Sequence, residues 1–162
     1  MKYLLLIRHA KTEQQGYDRD FERELTKRGT EDCKLMAERI KKTGFMPDLI
    51  KISTANRTQQ TAKLLAKHLG WKKGTVEGYE KLYLATPNAI LNEIVNTNKK
   101  INSLVIIGHN PGITELFNFI GNAKVDDLPT CVMGLFKFEI KDWKEIAITK
   151  GKLEWYSWPK KG

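Results

Sequence analysis

The chain has 162 residues, the size of one compact domain that can bury a core. Its 41% apolar and 29% charged residues exclude the apolar-poor composition of disorder, and two cysteines, Cys33 and Cys131, are too few and too isolated for a disulfide framework or a zinc site. The formal charge of +9 favours anionic partners such as phosphorylated proteins, nucleotides or nucleic acid without choosing among them, and equally suits a solvated lysine-rich surface.

Tyr3 to Ile7 reads as a buried strand; it is too short for a signal peptide's apolar segment, and Arg8 and Lys11 follow it at once. No other stretch has the apolar length to span a bilayer, so a reducing cytoplasm fits best. The polar segment Gly16 to Arg23 reads as a loop over something, expected to be the active site. Glu31 to Lys42 has helical periodicity, Leu49 to Ser53 is strand-like, and Arg57 to Leu69 is helical again. Asn88 to Thr97 repeats the helical period, Ser103 to Gly108 supplies another apolar run, and Ile113 to Ile120 reads as a helix. Val132 to Ile140 and Gly151 to Trp158 look like two closing strands around Asp142 to Lys150, forming a hairpin edge. Continuous β-branched runs with no polar alternation predict strands covered on both faces, hence an α/β fold with a parallel sheet flanked by helices.

In an open α/β sheet, ligands bind beyond the carboxyl ends of the strands. Arg8-His9 follows the first strand there, and Gly108-His109-Asn110-Pro111-Gly112 follows the Leu104 to Ile107 run. Ser53-Thr54-Ala55-Asn56-Arg57-Thr58 follows Leu49 to Ile52 and opens a helix whose first amides face the same crevice. Arg8 and Arg57 are permanent cations whose planar forks match phosphate oxygens. A neutral imidazole beside them can attack phosphorus if its other nitrogen is held by an acceptor, and His9 takes that role. His109 then donates to the equatorial oxygens, as the arginines do. A lone histidine at a strand end is usually a hydrogen-bonded cap; two at strand ends, one preceded by arginine, argue for a site. His68, late in its helix, reads as structural.

Rival motifs fail on context. Cys33 to Arg39 has the spacing of a cysteine-dependent phosphatase loop, but its residues are strong helix formers without glycine. Asp18-Arg19-Asp20 resembles an aspartyl nucleophile pair, yet no strand precedes it, so it reads as loop charge. No glycine-rich loop ends in Lys-Ser or Lys-Thr, which removes that route to nucleoside triphosphates.

The chain resembles the histidine phosphatase superfamily, and within it the small bacterial phosphohistidine phosphatases of the SixA type. The likeness rests on Leu5-Leu6-Ile7-Arg8-His9-Ala10, Leu25-Thr26-Lys27-Arg28-Gly29, Ser53 to Ala62, Leu82-Tyr83 and Ile107-Gly108-His109-Asn110-Pro111. It implies a three-layer α/β/α sandwich around a mostly parallel mixed sheet, as in phosphoglycerate mutase, and one domain over residues 1–162. It also implies His9 as the phosphorylated nucleophile, with Arg8, Arg57 and His109 binding phosphate, and no metal or other cofactor. The implied substrate is a phosphorylated protein, dephosphorylated at histidine, with inorganic phosphate as product. Relatives that cleave alcohol phosphates carry an acid for the leaving oxygen; here Lys81 stands before Leu82-Tyr83, and the nearby Glu80 is either that acid or, as preferred, solvated loop charge. Arg23 and the Asp18 to Asp20 loop are further candidates to touch substrate.

Two alternatives remain beside the leading reading. One is a small-molecule phosphomonoesterase using Glu80. The other is a non-catalytic phosphate or nucleic-acid binding module, suggested by the aromatic and basic tail Trp155 to Lys161, which an edge strand explains more simply. Neither a membrane nor a nucleic-acid partner is favoured.

Overall fold

The computed structural model describes residues 1–162. Strand β1 (Lys2–Arg8) carries an unbroken apolar run, and its side chains alternate between two cores: Leu4 and Leu6 face one, Leu5 and Ile7 the other. Strands β2 (Leu49–Ser53) and β4 (Ser103–Gly108) divide in the same way, with Leu104 and Ile106 opposite Val105 and Ile107. Helices α1 (Lys27–Lys41) and α2 (Asn56–Leu69) cover one face through Met36, Ile40 and Leu65; α3 (Pro87–Val95) and α4 (Gly112–Gly121) cover the other through Ile90, Ile94 and Phe117. The result is the expected three-layer α/β/α sandwich.

With β3 (Val76–Tyr79), β5 (Met133–Phe138) and β6 (Lys152–Ser157), the sheet has six strands in the order β3-β2-β4-β1-β5-β6. The first four pair in parallel, while β5 runs antiparallel to β1 and carries the antiparallel edge strand β6. The expected closing hairpin is therefore present, with β5 also joined to the centre of the sheet. One strand escapes the periodicity: β3 is short, and its Glu77 and Gly78 are exposed at the opposite edge.

Local capping moves several boundaries from those the periodicity predicts. Helix α1 begins at Lys27 rather than Glu31, because the Thr26 hydroxyl accepts the Gly29 amide at 2.9 Å. Thr86 caps α3 in the same way, through the Ala89 amide at 3.2 Å, and Pro87 occupies its first turn. Gly70, with φ of 70°, ends α2 in the left-handed conformation. Between β5 and β6, Asp142 and Glu145 form a capping box over the 3-10 segment Trp143–Ile148, which buries Trp143 and Ile146 in the core beside α3.

Gly29 lets the first turn of α1 lie against the backbone just after β1: a Cβ there would sit 2.2 Å from the Lys11 carbonyl oxygen. Gly29→Ala is therefore expected to destabilise the fold by about 1–3 kcal/mol through overpacking, measurable as a lower urea midpoint with an unchanged m-value.

Candidate active site

Strands β1 and β4 pair in parallel with Arg8 opposite Gly108, so the next residue of each, His9 and His109, lie side by side past the sheet end. Their ring centroids are 5.2 Å apart, close to the ~4.8 Å spacing of neighbouring strands. On the far side of β4, strand β2 ends at Ser53, and the first turn of α2 supplies Arg57. Arg8, His9, Arg57 and His109, from three segments of the chain, line one pocket of about 590 Å³ together with Arg23 and Asp20.

The hydrogen bonds fix the imidazole protons. Nδ1 of His9 lies 2.8 Å from the Ala10 carbonyl, which can only accept, so Nδ1 carries the proton and Nε2 keeps its lone pair. Burial, opposed by that carbonyl bond and reinforced by the positive charges of Arg57, Arg8 and Arg23, holds the His9 pKa down at about 4. The ring is neutral at pH 7. His109 is held at about 3, by burial first and then by His9 and Arg57. Its Nε2 lies 2.7 Å from the Ser53 hydroxyl, whose oxygen also accepts the Ala55 amide at 3.2 Å. The only acceptor in reach of the Ser53 proton is His109 Nε2, which places the His109 proton on Nδ1.

That Nδ1–H is buried without a partner, as are Nε of Arg8 and Nε of Arg57. Buried donors are almost always satisfied, so three orphans on residues of one pocket mark a place where acceptor oxygens belong. Arg8 Nη1 and both Nη atoms of Arg57 are occupied and act as anchors. Arg8 donates from Nη1 to the Leu128 carbonyl at 2.7 Å, which also accepts from Asn110 Nδ2. Arg57, almost wholly buried, donates to the Asp20 carbonyl at 2.8 Å and to its carboxylate at 2.9 Å.

Asp20, whose loop reads in sequence both as loop charge and as a candidate to touch substrate, lines the pocket and holds its arginines. It accepts from Arg57, from Arg23 Nε at 3.0 Å and from the Tyr83 hydroxyl. Burial would raise its pKa, but these donors outweigh burial and bring it to about 2. Tyr83 in turn stands edge-on to His109, with centroids 5.5 Å apart. Nothing in the local sequence around Asp18 to Asp20 signals this, because every partner is remote in the chain. Arg23 lines the pocket and also donates to Thr12 and Gln14 at 3.2 and 3.1 Å. Glu80, read either as an acid or, by preference, as solvated loop charge, is exposed at the start of a short 3-10 turn and is not among the residues that line this pocket. Cys33 is buried within α1 and His68 lies in the last turn of α2, each in the structural setting expected of it. No group of three or more His, Cys, Asp or Glu side chains is placed to hold a metal ion, and the cations facing the pocket are guanidinium and ammonium heads.

Residues 4–82 match the model of the histidine phosphatase superfamily, branch 1, and this segment contains His9, Arg8 and Arg57. Over this segment, about half of its length, the chain is similar to the histidine phosphatase superfamily. An uncharacterized chloroplastic protein of Arabidopsis thaliana is 27% identical over 161 residues, 94% of this chain and 73% of its own length. Among solved structures, the protein histidine phosphatase SixA complexed with tungstate superposes with a TM-score of 0.82 at 19% identity, covering 97% of each chain. The mycobacterial glucosyl-3-phosphoglycerate phosphatase Rv2419c gives 0.69 at 14% identity, covering 95% of this chain and 97% of that one. The sheet order and layers described above are thus the phosphoglycerate mutase-like α/β/α fold that these structures share.

Two measurements test the site. Nitrogen-15 shifts should show His109 as the Nδ1–H tautomer, and Ser53→Ala should abolish that preference while costing about 1–3 kcal/mol for the buried groups it strands. Because His9 and His109 titrate lower folded than the 6.5 of free imidazole, the unfolded chain binds more protons in the interval between. Stability should be full above pH 6.5 and decline as pH falls toward about 4 and 3; the urea midpoint measured from pH 7 to 4 checks this, and His109→Gln should flatten the slope.

Proposed function

We propose that the protein is a phosphatase that carries the phosphoryl group on His9 and removes it from phosphohistidine in proteins. The observation behind this reading is the set of three unpartnered buried donors, Arg8 Nε, Arg57 Nε and His109 Nδ1, beside an imidazole with a free Nε2. A phosphoryl group seated on those donors presents phosphorus to Nε2. The lone pair attacks in line, the substrate nitrogen leaves with its bonding electrons, and the phosphoryl passes to His9. Positive charge then spreads over the phosphoimidazole, whose Nδ1–H stays bound to the Ala10 carbonyl. Water attacks the same phosphorus from the vacated side, inorganic phosphate leaves, and neutral His9 returns. The three donors hold the equatorial oxygens throughout, where charge is concentrated in a loose transition state.

The leaving group separates the two phosphatase readings. An alkoxide needs a protonated acid, and Asp20, the pocket carboxyl that binds Arg57, is held at about 2 and bound by two arginines. It is ionised at neutral pH and has no proton to give. An imidazole protonated on its other nitrogen leaves as a neutral ring and needs no such help. The closer fold likeness to the protein histidine phosphatase SixA than to the glucosyl-3-phosphoglycerate phosphatase supports the same choice. The compartment that suits Cys33 and Cys131 as free thiols is the reducing cytoplasm, and no helix is long and apolar enough to cross a membrane.

The purified protein should hydrolyse phosphoramidate and a histidine-phosphorylated protein at least about a hundredfold faster than an alkyl phosphate. Mass spectrometry after an alkaline quench should find the phosphoryl group on His9. His9→Ala should abolish turnover and Arg57→Ala should lower kcat by about 10²–10³; full activity in His9→Ala would sink the mechanism.

A further inference from the structure

The pocket is far larger than one phosphoryl group needs. Its 590 Å³ continues outward from His9 to a mouth walled by Lys11, Arg28, Asp32, Trp158, Pro159 and Lys160. These residues come from three separated segments: the turn after β1, the first turns of α1, and the chain beyond β6. The last is fixed in place, since Arg39 donates to the carbonyls of Trp158 at 2.6 Å and Pro159 at 3.4 Å and to the Ser157 hydroxyl at 3.1 Å. Lys160 is thus carried at the pocket by an anchored strap.

The charge of this mouth is unbalanced. Of the two carboxylates that line the whole pocket, Asp20 is bound to Arg57 and Arg23, and Asp32 is paired with Arg28 at 3.1 Å. Lys11 and Lys160 have no ion-pair partner, and both are exposed. We propose that these ammonium groups form an acid-binding subsite, so that the preferred substrate is a phosphorylated polypeptide segment with aspartate or glutamate next to the phosphorylated residue. This rests on the phosphatase reading above and adds the chemistry of the flanking substrate. Carboxylates suit the subsite better than a second phosphate does. Phosphate recognition favours a planar fork with no carboxylate partner, whereas the Arg28 guanidinium is paired through Nε with Asp32 and the cations without any partner are the point charges of Lys11 and Lys160. A stacked nucleotide base suits it less, because the Trp158 ring already packs on Tyr156 at 4.9 Å and lies beneath Lys161 at 5.3 Å.

The test uses two peptides phosphorylated on histidine with phosphoramidate, identical except that aspartates flank the phosphohistidine in one and asparagines in the other. On the unmodified protein the acidic peptide should have about tenfold higher kcat/KM, through KM, and the ratio should shrink as salt rises. In Lys11→Ala/Lys160→Ala the ratio should fall to about twofold or less, and Lys11→Arg/Lys160→Arg should retain it. Equal efficiency on both peptides, with brisk turnover, would overturn the acid-binding subsite and leave the phosphohistidine reading standing. Turnover of phosphoramidate with neither peptide cleaved would sink both. Competitive inhibition by AMP tighter than by the unphosphorylated acidic peptide would reassign the mouth to a nucleotide.

Discussion

The parallel pairing of β1 with β4, in the register that sets Arg8 against Gly108, is the constraint on which the site depends. It turns two residues a hundred positions apart into neighbours at strand spacing, both at the end of the sheet where no further strand residue covers them. A slip of one residue would turn His9 or His109 toward the opposite face and separate them. The register is held by apolar residues that serve two cores at once, with Leu4 and Leu6 on one side and Leu5 and Ile7 on the other, so no slip is cheap. Packing on both faces of β1 is therefore what fixes the chemistry at its end.

Burial at that position has a second effect. Imidazoles set among guanidinium groups in a poorly solvated pocket stay neutral, the state that the proposed roles of His9 and His109 need. The same surroundings keep the Asp20 carboxyl ionised, because its donors outweigh its own desolvation. One electrostatic environment thus keeps the imidazoles neutral and the Asp20 carboxyl ionised. That suits a leaving group able to depart unaided, and it ties the substrate class to the same pocket field that would hold the phosphate.

Asp20 also accounts for the order of the loop over the pocket. Its carbonyl and carboxylate close on Arg57, its other oxygen holds Arg23, and Arg23 reaches back to Thr12 and Gln14. Helix α2 and the turn after β1 are thereby linked through one acidic side chain. The polar segment Gly16 to Arg23 is recognisable in sequence as a loop, but its function as a brace depends on partners up to 63 residues away.

The sequence alone determined the layers and the quartet at the strand ends. Apolar runs without polar alternation can only be strands covered on both faces, and Arg8-His9, Arg57 and His109 each stand directly after such a run or in the helix that follows it. Tertiary structure decided the rest. Strand β3 gains its hydrogen bonds only from β2 and has no apolar pattern of its own; Asp20 and Ser53 acquire their importance from partners brought by other elements; Glu80 is turned outward by the turn it begins. Periodicity records which face a residue buries, because that is a local property of the chain. It does not record which distant group a polar side chain will meet, because that contact exists only once the strands are in register.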